Sequence, residues 1–353
     1  MSDPLLSVTD LDVAFRTEDG LVHAVDGVSF DLDPGEVVAI VGESGSGKSV
    51  TALSLMGLTR GPNTEISGTA TFRDTELITA SDSDLRRLRG AEISMIFQDP
   101  MSSLNPVQRV GNQIAEQIRA HEDVSKGEAA ERVVELLDSV GIPGAAERAR
   151  AYPHEFSGGM RQRAMIAMAL SLEASVLIAD EPSTALDVTI QAQIMRLLGR
   201  LNEERGLSII LITHDLGIVA EVADRVLVMY GGRIVEQGSL DQIFYDPQHP
   251  YTWGLLGSLA RLDRPRPERL SQIPGMPPSL ISPPEGCHFR PRCPHEFGKC
   301  PKRPELKERG SEPGHLDRCW LGAEQKKEKR QIGDRIALTV PENATKPAER
   351  EPG

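Results

Sequence analysis

Three shortages constrain this 353-residue chain before any motif is found. Cysteine is missing from the first 286 residues, and all four cysteines fall between Cys287 and Cys319. A disulfide scaffold spreads its pairs through a small secreted chain, so that class is excluded. No apolar run approaches the roughly 18–20 residues that a membrane-spanning helix needs. Positive charge is in deficit: 39 Lys+Arg against 52 Asp+Glu leave a net charge of −13. Such a chain repels phosphate backbones and anionic lipid alike, which argues against nucleic-acid partners and direct lipid docking. Its opening, Met1-Ser2-Asp3-Pro4, lacks the basic stretch of a secretion signal, and a cytosolic protein is expected. The remaining composition, 39% hydrophobic and 26% charged, supports a large core. The length implies one large domain with an appendage.

Short β-branched runs alternate with helical periodicity, the pattern of an α/β core with a largely parallel sheet. Val37-Val38-Ala39-Ile40-Val41, Val176-Leu177-Ile178-Ala179 and Ser208-Ile209-Ile210-Leu211-Ile212 read as buried strands. Residues 6–15 and 22–32 alternate as antiparallel strands joined by Glu18-Asp19-Gly20. Residues 107–121, 126–140 and 160–172 carry helical spacing, so a helical subdomain is expected over about 100–173. Near residue 262 the composition shifts. Eight prolines between Pro265 and Pro291 disfavour regular structure and predict an extended wrap. The division expected is therefore a large α/β domain over 1–262, a Pro- and Cys-rich extension over 263–320, and a disordered tail over 321–353.

Gly42-Glu43-Ser44-Gly45-Ser46-Gly47-Lys48-Ser49 matches G-x-x-x-x-G-K-[ST], directly after a strand and before a helix candidate at 49–56. Glycines let backbone N–H groups wrap a phosphate, and the helix start adds partial positive charge. Lys48 would reach the β- and γ-phosphates, and the Ser49 hydroxyl would ligate Mg²⁺. The strand at 176–179 ends in Asp180-Glu181. Asp180 would hold Mg²⁺ through water, and Glu181 would polarise an attacking water as general base.

Between these motifs lies Phe156-Ser157-Gly158-Gly159-Met160-Arg161-Gln162, with Gln98 upstream and Ala185-Leu186-Asp187 and His214 downstream. This set resembles the ATP-binding subunits of ABC transporters over roughly residues 5–260. The resemblance implies an ATPase with a P-loop core of ABC type, an antiparallel β subdomain and a helical subdomain. It also implies a head-to-tail dimer in which each ATP lies between one phosphate loop and the partner's Ser157–Gly159 loop. By the same likeness Phe15 stacks on adenine, Gln98 touches Mg²⁺ or the lytic water, His214 holds the γ-phosphate and Glu181, and Asp187 sits at the dimer seam. Phe156 and Met160 depart from the Leu and Gln most often found in the family.

Within that family the wording of residues 42–49, of Phe97-Gln98-Asp99-Pro100-Met101-Ser102-Ser103-Leu104-Asn105-Pro106 and of Pro247-Gln248-His249-Pro250-Tyr251-Thr252 is similar to oligopeptide and dipeptide importers. Implied partners are two transmembrane permease subunits, a second ATPase subunit as a sister chain, and an extracytoplasmic peptide-binding protein. The implied location is the cytoplasmic face of the membrane. Nickel or another small solute stays open as cargo, and a soluble ABC ATPase of DNA repair or translation is a further alternative.

Cys287, Cys293, Cys300 and Cys319 are spaced too widely for paired zinc knuckles. Four thiolates at irregular spacing, two followed by proline, suit a [4Fe–4S] cluster, and the extension of peptide-importer ATPases resembles this region. Zn²⁺ is one alternative, with His288, His295 and His315 as possible substitute ligands, and free thiols without a metal are the other.

Overall fold

The computed structural model describes residues 3–99, 103–183, 187–258, 273–308 and 313–330. The expected boundary at 262, residues Pro100, Met101, Ser102, Ala185 and Leu186, and the chain after 330 lie outside these.

Strands β1 (Leu6–Thr17), β2 (Gly20–Leu32), β4 (Thr64–Phe72) and β5 (Thr75–Glu76) form an antiparallel sheet in the order β2-β1-β4-β5. The predicted turn closes the first hairpin, where Thr17 pairs with Gly20. A second sheet is built from β3 (Val37–Val41), β6 (Ile93–Ile96), β7 (Val176–Asp180), β8 (Ser208–Thr213), β9 (Arg225–Tyr230), β10 (Arg233–Ser239), β11 (Lys307–Glu308) and β12 (Leu316–Asp317). Its order is β11-β12-β10-β9-β3-β8-β7-β6, and the five strands from β9 to β6 run parallel. Every residue of β3, β7 and β8 is buried, because both sheet faces are covered. Val37, Ala39 and Val41 enter one core; Val38 and Ile40 enter the other, shared with the antiparallel sheet.

The helices in chain order are α1 (Lys48–Leu55), α2 (Asp82–Leu88), α3 (Val110–His121), α4 (Lys126–Ser139), α5 (Ala145–Arg148), α6 (Gly158–Ala169), α7 (Val188–Arg205), α8 (Leu216–Val222), α9 (Leu240–Tyr245), α10 (Pro250–Gly257) and α11 (Ala323–Lys329). The three long predicted helices correspond to α3, α4 and α6. Ser125 and Glu128 start α4 with a reciprocal capping box, which fixes that boundary. Ile114, Ile118, Val133, Leu137 and Ala164 tie the helical unit to the first core. Phe156 is buried in the same core, so the side chain at this position packs inward and does not face the loop edge.

Two features differ from expectation. The extension adds β11 and β12 to the main sheet, with Asp317 level with Glu236 of β10. The segment after Trp320 contains a helix, α11. Lys326, 1% exposed, donates to Asp317 Oδ2 at 2.6 Å, and Arg330 pairs with Asp246. Its charged composition concealed this docking, since two ion pairs to partners fixed by the core hold it rather than an apolar face.

The turn from β3 into α1 demands glycine at particular points. Gly47 sits at φ +102°, and a Cβ there would lie 2.3 Å from the Ala24 carbonyl oxygen. Gly45, at φ +76°, faces open space. Gly47→Ala should therefore lower stability by roughly 2–3 kcal/mol, strain and backbone clash combined. Gly45→Ala should cost about 1 kcal/mol, from the left-handed backbone alone. Urea unfolding of the two variants checks the order; equal losses would contradict it.

Candidate active site

Parallel pairing fixes where the strand ends lie. Val41 is level with Thr213, Asp180 with Ile212, and Ile96 with Ala179. Residues just beyond β3, β6, β7 and β8 thus emerge on one edge, the carboxyl edge at which open α/β sheets bind ligands. The loop Gly42–Ser49, Gln98, Glu181 and His214 all arrive there. Asp180 is the last residue of its strand.

Within the loop, Lys48 Nζ donates to the carbonyls of Gly42 at 2.8 Å and Glu43 at 3.0 Å. Burial pushes this ammonium below its ordinary pKa, against the pull of Glu181, Asp180 and Glu43. Ser44, Gly45 and Ser46 complete the turn, and the Ser46 N–H donates to the Glu43 carbonyl at 3.2 Å. Ser49 Oγ donates to Asp180 Oδ1 at 3.0 Å. Burial raises the Asp180 carboxyl, and the Ser49 bond opposes that rise. A hydroxyl beside a buried carboxylate offers hard oxygens of the type that Mg²⁺ takes, so the residues fit this ion.

Glu181 occupies a left-handed backbone conformation, φ +47°, rare for a residue with a side chain. Its N–H donates to the Ile212 carbonyl at 2.8 Å, which extends the ladder one residue past the strand. The chain then turns and presents the carboxylate between two neighbours. Gln98 Nε2 donates to Oε2 at 3.2 Å, and His214 Nδ1 lies 3.3 Å from Oε1. A carboxylate steadied from both sides is placed to accept a proton from water.

The other expected residues stand on separate elements. Ser157 caps α6, its Oγ accepting from the Met160 N–H at 3.3 Å, with Gly158 and Gly159 in the first turn. Asp187 caps α7 by accepting from the Ile190 N–H at 3.0 Å. Phe15 is half-buried on β1 against the second core, level with Val22 and Thr64. The sequence-predicted residues thus divide into one connected group on the sheet edge, Ser157, Gly158 and Gly159 on the helical unit, Asp187 at the start of α7 and Phe15 on the antiparallel sheet.

Comparison with known proteins settles the family. Residues 25–184 match the ABC transporter family, and residues 235–300 match the oligopeptide/dipeptide transporter C-terminal region. The oligopeptide transport ATP-binding protein OppD of Escherichia coli is 52% identical over 92% of this chain and 95% of its own length. The dipeptide transport ATP-binding protein DppD of Bacillus subtilis is 52% identical over 90% of this chain and 95% of its own. Among solved structures, the dimeric post-hydrolysis state of the ATP-binding cassette MJ0796, bound to ADP and Pi, aligns with TM-score 0.61 and 25% identity. That alignment covers 67% of this chain and 98% of the cassette. The chain belongs to the ATP-binding proteins of ABC transporters.

In this ABC protein the four cysteines are thiols not joined in disulfides, and they line one small cavity with His249 and His295. Burial raises the Cys287 thiol and pushes Cys293 and Cys319 up to about 12. Among the described residues no three His, Cys, Asp or Glu side chains form a group able to hold a metal ion. Two of the expected substitute ligands are committed elsewhere: His288 Nδ1 lies 2.7 Å from the Gly231 carbonyl oxygen and His315 Nε2 lies 2.9 Å from Glu236 Oε1. Only His295 of the three lines the cavity.

Sequence reading assigned no role at the phosphate loop to Tyr251 or Arg292, which both bond to Glu43. Tyr251 lies in the importer-like wording of residues 247–252; Arg292 merely adjoins Cys293.

The raised Asp180 carboxyl has a measurable consequence in the nucleotide-free chain. A carboxyl whose folded pKa lies above its unfolded value contributes stability at low pH that is lost as pH rises through the folded value. Asp180→Asn should therefore stabilise the nucleotide-free protein near neutral pH, and by less near pH 4. Thermal unfolding at the two pH values checks both sign and trend.

Proposed function

We propose that this chain is the ATP-hydrolysing subunit of a transporter that imports oligopeptides or dipeptides. The observation that carries this reading is Glu181 held between Gln98 and His214, beside the Ser49–Asp180 pair. It occurs in a chain whose later part matches the oligopeptide/dipeptide transporter region. Loop N–H groups and Lys48 bind the β- and γ-phosphates. Ser49 and Asp180 are the residues that would hold Mg²⁺, with Gln98 close by. Bound Mg²⁺ neutralises charge on the transferred phosphoryl group. Glu181 takes the proton of the attacking water, while Gln98 and His214 keep its carboxylate aimed. Phe15 lies under the adenine ring.

One chain holds half of each site. The start of α6, with Ser157, Gly158 and Gly159, clasps the γ-phosphate bound by a second ATPase subunit arranged head to tail, with Asp187 at the seam. That second subunit is a sister chain. The permease subunits dock in a groove of about 340 Å³ between the Gln98 loop and the helical unit, lined by Leu58, Met95, Phe97, Ser103, Met165 and Met168. Leu58 and Phe97 are exposed there, an apolar invitation to a short cytoplasmic helix. The complex, served by an extracytoplasmic peptide-binding protein, places this subunit at the cytoplasmic face. Among the described residues no helix is long and apolar enough to cross a membrane.

Cys287, Cys293, Cys300 and Cys319 would hold a [4Fe–4S] cluster: all four thiols line one cavity, and since they do not form a metal-holding group where they stand, they would draw together on loading. Its contribution there is to staple a segment poor in regular structure.

Two experiments test these assignments. In a defined dimer, Glu181→Gln should leave ATP binding intact and cut turnover by roughly 10²–10⁴-fold, the span of a positioned general base. Unchanged turnover removes Glu181 from that role. Purified without oxygen, the chain should be brown and carry iron and sulfide, and Cys319→Ser should be colourless; stoichiometric zinc without iron overturns the cluster.

A further inference from the structure

The phosphate loop is gripped from outside the cassette. Glu43, its second residue, is held at three points. The carboxylate receives both ends of the Arg292 guanidinium, at 2.6 and 3.1 Å. Its N–H donates to Tyr251 Oη at 2.9 Å, and its carbonyl accepts from Lys48 Nζ at 3.0 Å. Arg292 is in turn fixed: Nε donates to the Pro274 carbonyl at 2.9 Å, Nη2 to the Ile273 carbonyl at 3.0 Å, and Nη1 to Tyr230 Oη at 3.3 Å. Behind it the rings of Tyr230, Tyr251 and Phe289 pack with centroids 4.5–5.4 Å apart. Arg292 and Tyr251 both lie in the part matching the oligopeptide/dipeptide transporter C-terminal region, beyond the part matching the ABC transporter family.

This grip has two physical effects. Gly42, Gly45 and Gly47 give the loop backbone freedom, and a three-point hold on Glu43 removes part of that freedom before a ligand arrives. Glu43 also places a negative charge close enough to act on Lys48, hence close to bound phosphate. Left bare, that carboxylate would repel a polyphosphate; a bidentate guanidinium neutralises it in contact.

We propose that Arg292 is a positioning residue of the nucleotide site, shaping the loop through Glu43 and masking the Glu43 charge from the phosphates. The C-terminal region thereby sets the nucleotide affinity of the cassette. This rests on the nucleotide reading of the site, so the wild-type chain and Lys48→Ala are measured alongside.

The test is MgADP binding to the full chain by titration calorimetry. Arg292→Ala should weaken binding roughly tenfold, about 1.4 kcal/mol. Adding Glu43→Gln to Arg292→Ala should restore most of the loss, because the repelling charge is gone, and Arg292→Lys should fall between Ala and wild type. Lys326→Met breaks a buried ion pair elsewhere in the extension; it should lower stability and leave the affinity unchanged. Should the alanine variant not fold, Arg292→Gln keeps one amide donor group and much of the side-chain volume at this position and removes the charge. Affinity within about twofold of wild type in Arg292→Ala, or in Arg292→Gln where it stands in, no recovery in the double variant, or an equal loss in Lys326→Met would each overturn the proposal. Wild-type chain that fails to bind MgADP, like Lys48→Ala, would instead overturn the nucleotide reading beneath it.

Discussion

The parallel register of β3, β6, β7 and β8 is the constraint on which the site depends. Four strand ends, level with one another across the sheet, deliver residues from positions 42, 98, 181 and 214 to one edge. Their burial on both faces leaves the strands no freedom to slip, since a one-residue shift would exchange the two cores. Chemistry assembled from four distant stretches is therefore held by hydrophobic packing. The hydrogen bonds from Gln98 and Ser49 only complete the alignment.

Buried charges in this molecule form two contrasting groups. Structural ones are buried and closely paired: Asp317 with Lys326, and Glu236 with the N–H of His249 and with His315. Such groups cost little only because each has its partner. The nucleotide edge differs. Lys48 and Asp180 are displaced by burial from their ordinary protonation ranges, and Glu181 sits on a strained backbone. Strain and unbalanced charge gathered at one edge mark a site built for a ligand that completes it.

How much of this was legible in the sequence follows from contiguity. The phosphate loop and Asp180-Glu181 are continuous in the chain and sit at the ends of apolar strands, so composition and spacing reveal both. The α4 boundary was readable because Ser125 and Glu128 form a local cap. Arg292 and Glu43 are 249 residues apart, and nothing near either announces the other. The left-handed turn at Glu181 is a backbone property without a residue signature. Strands β11 and β12 are two residues each, too short for any period. Helix α11 reads as solvated charge, because a buried Lys326 declares itself only once Asp317 is in place.

The central claim is that ATP hydrolysis at this edge is coupled to peptide movement. Its most direct measurement is ATP turnover by the chain assembled with permease subunits in liposomes, with a peptide-binding protein and peptide supplied or withheld on the opposite side. The account predicts hydrolysis that rises with peptide and that falls when Lys48 is replaced by Ala. A rate indifferent to peptide, with Lys48 and Glu181 intact, would contradict it.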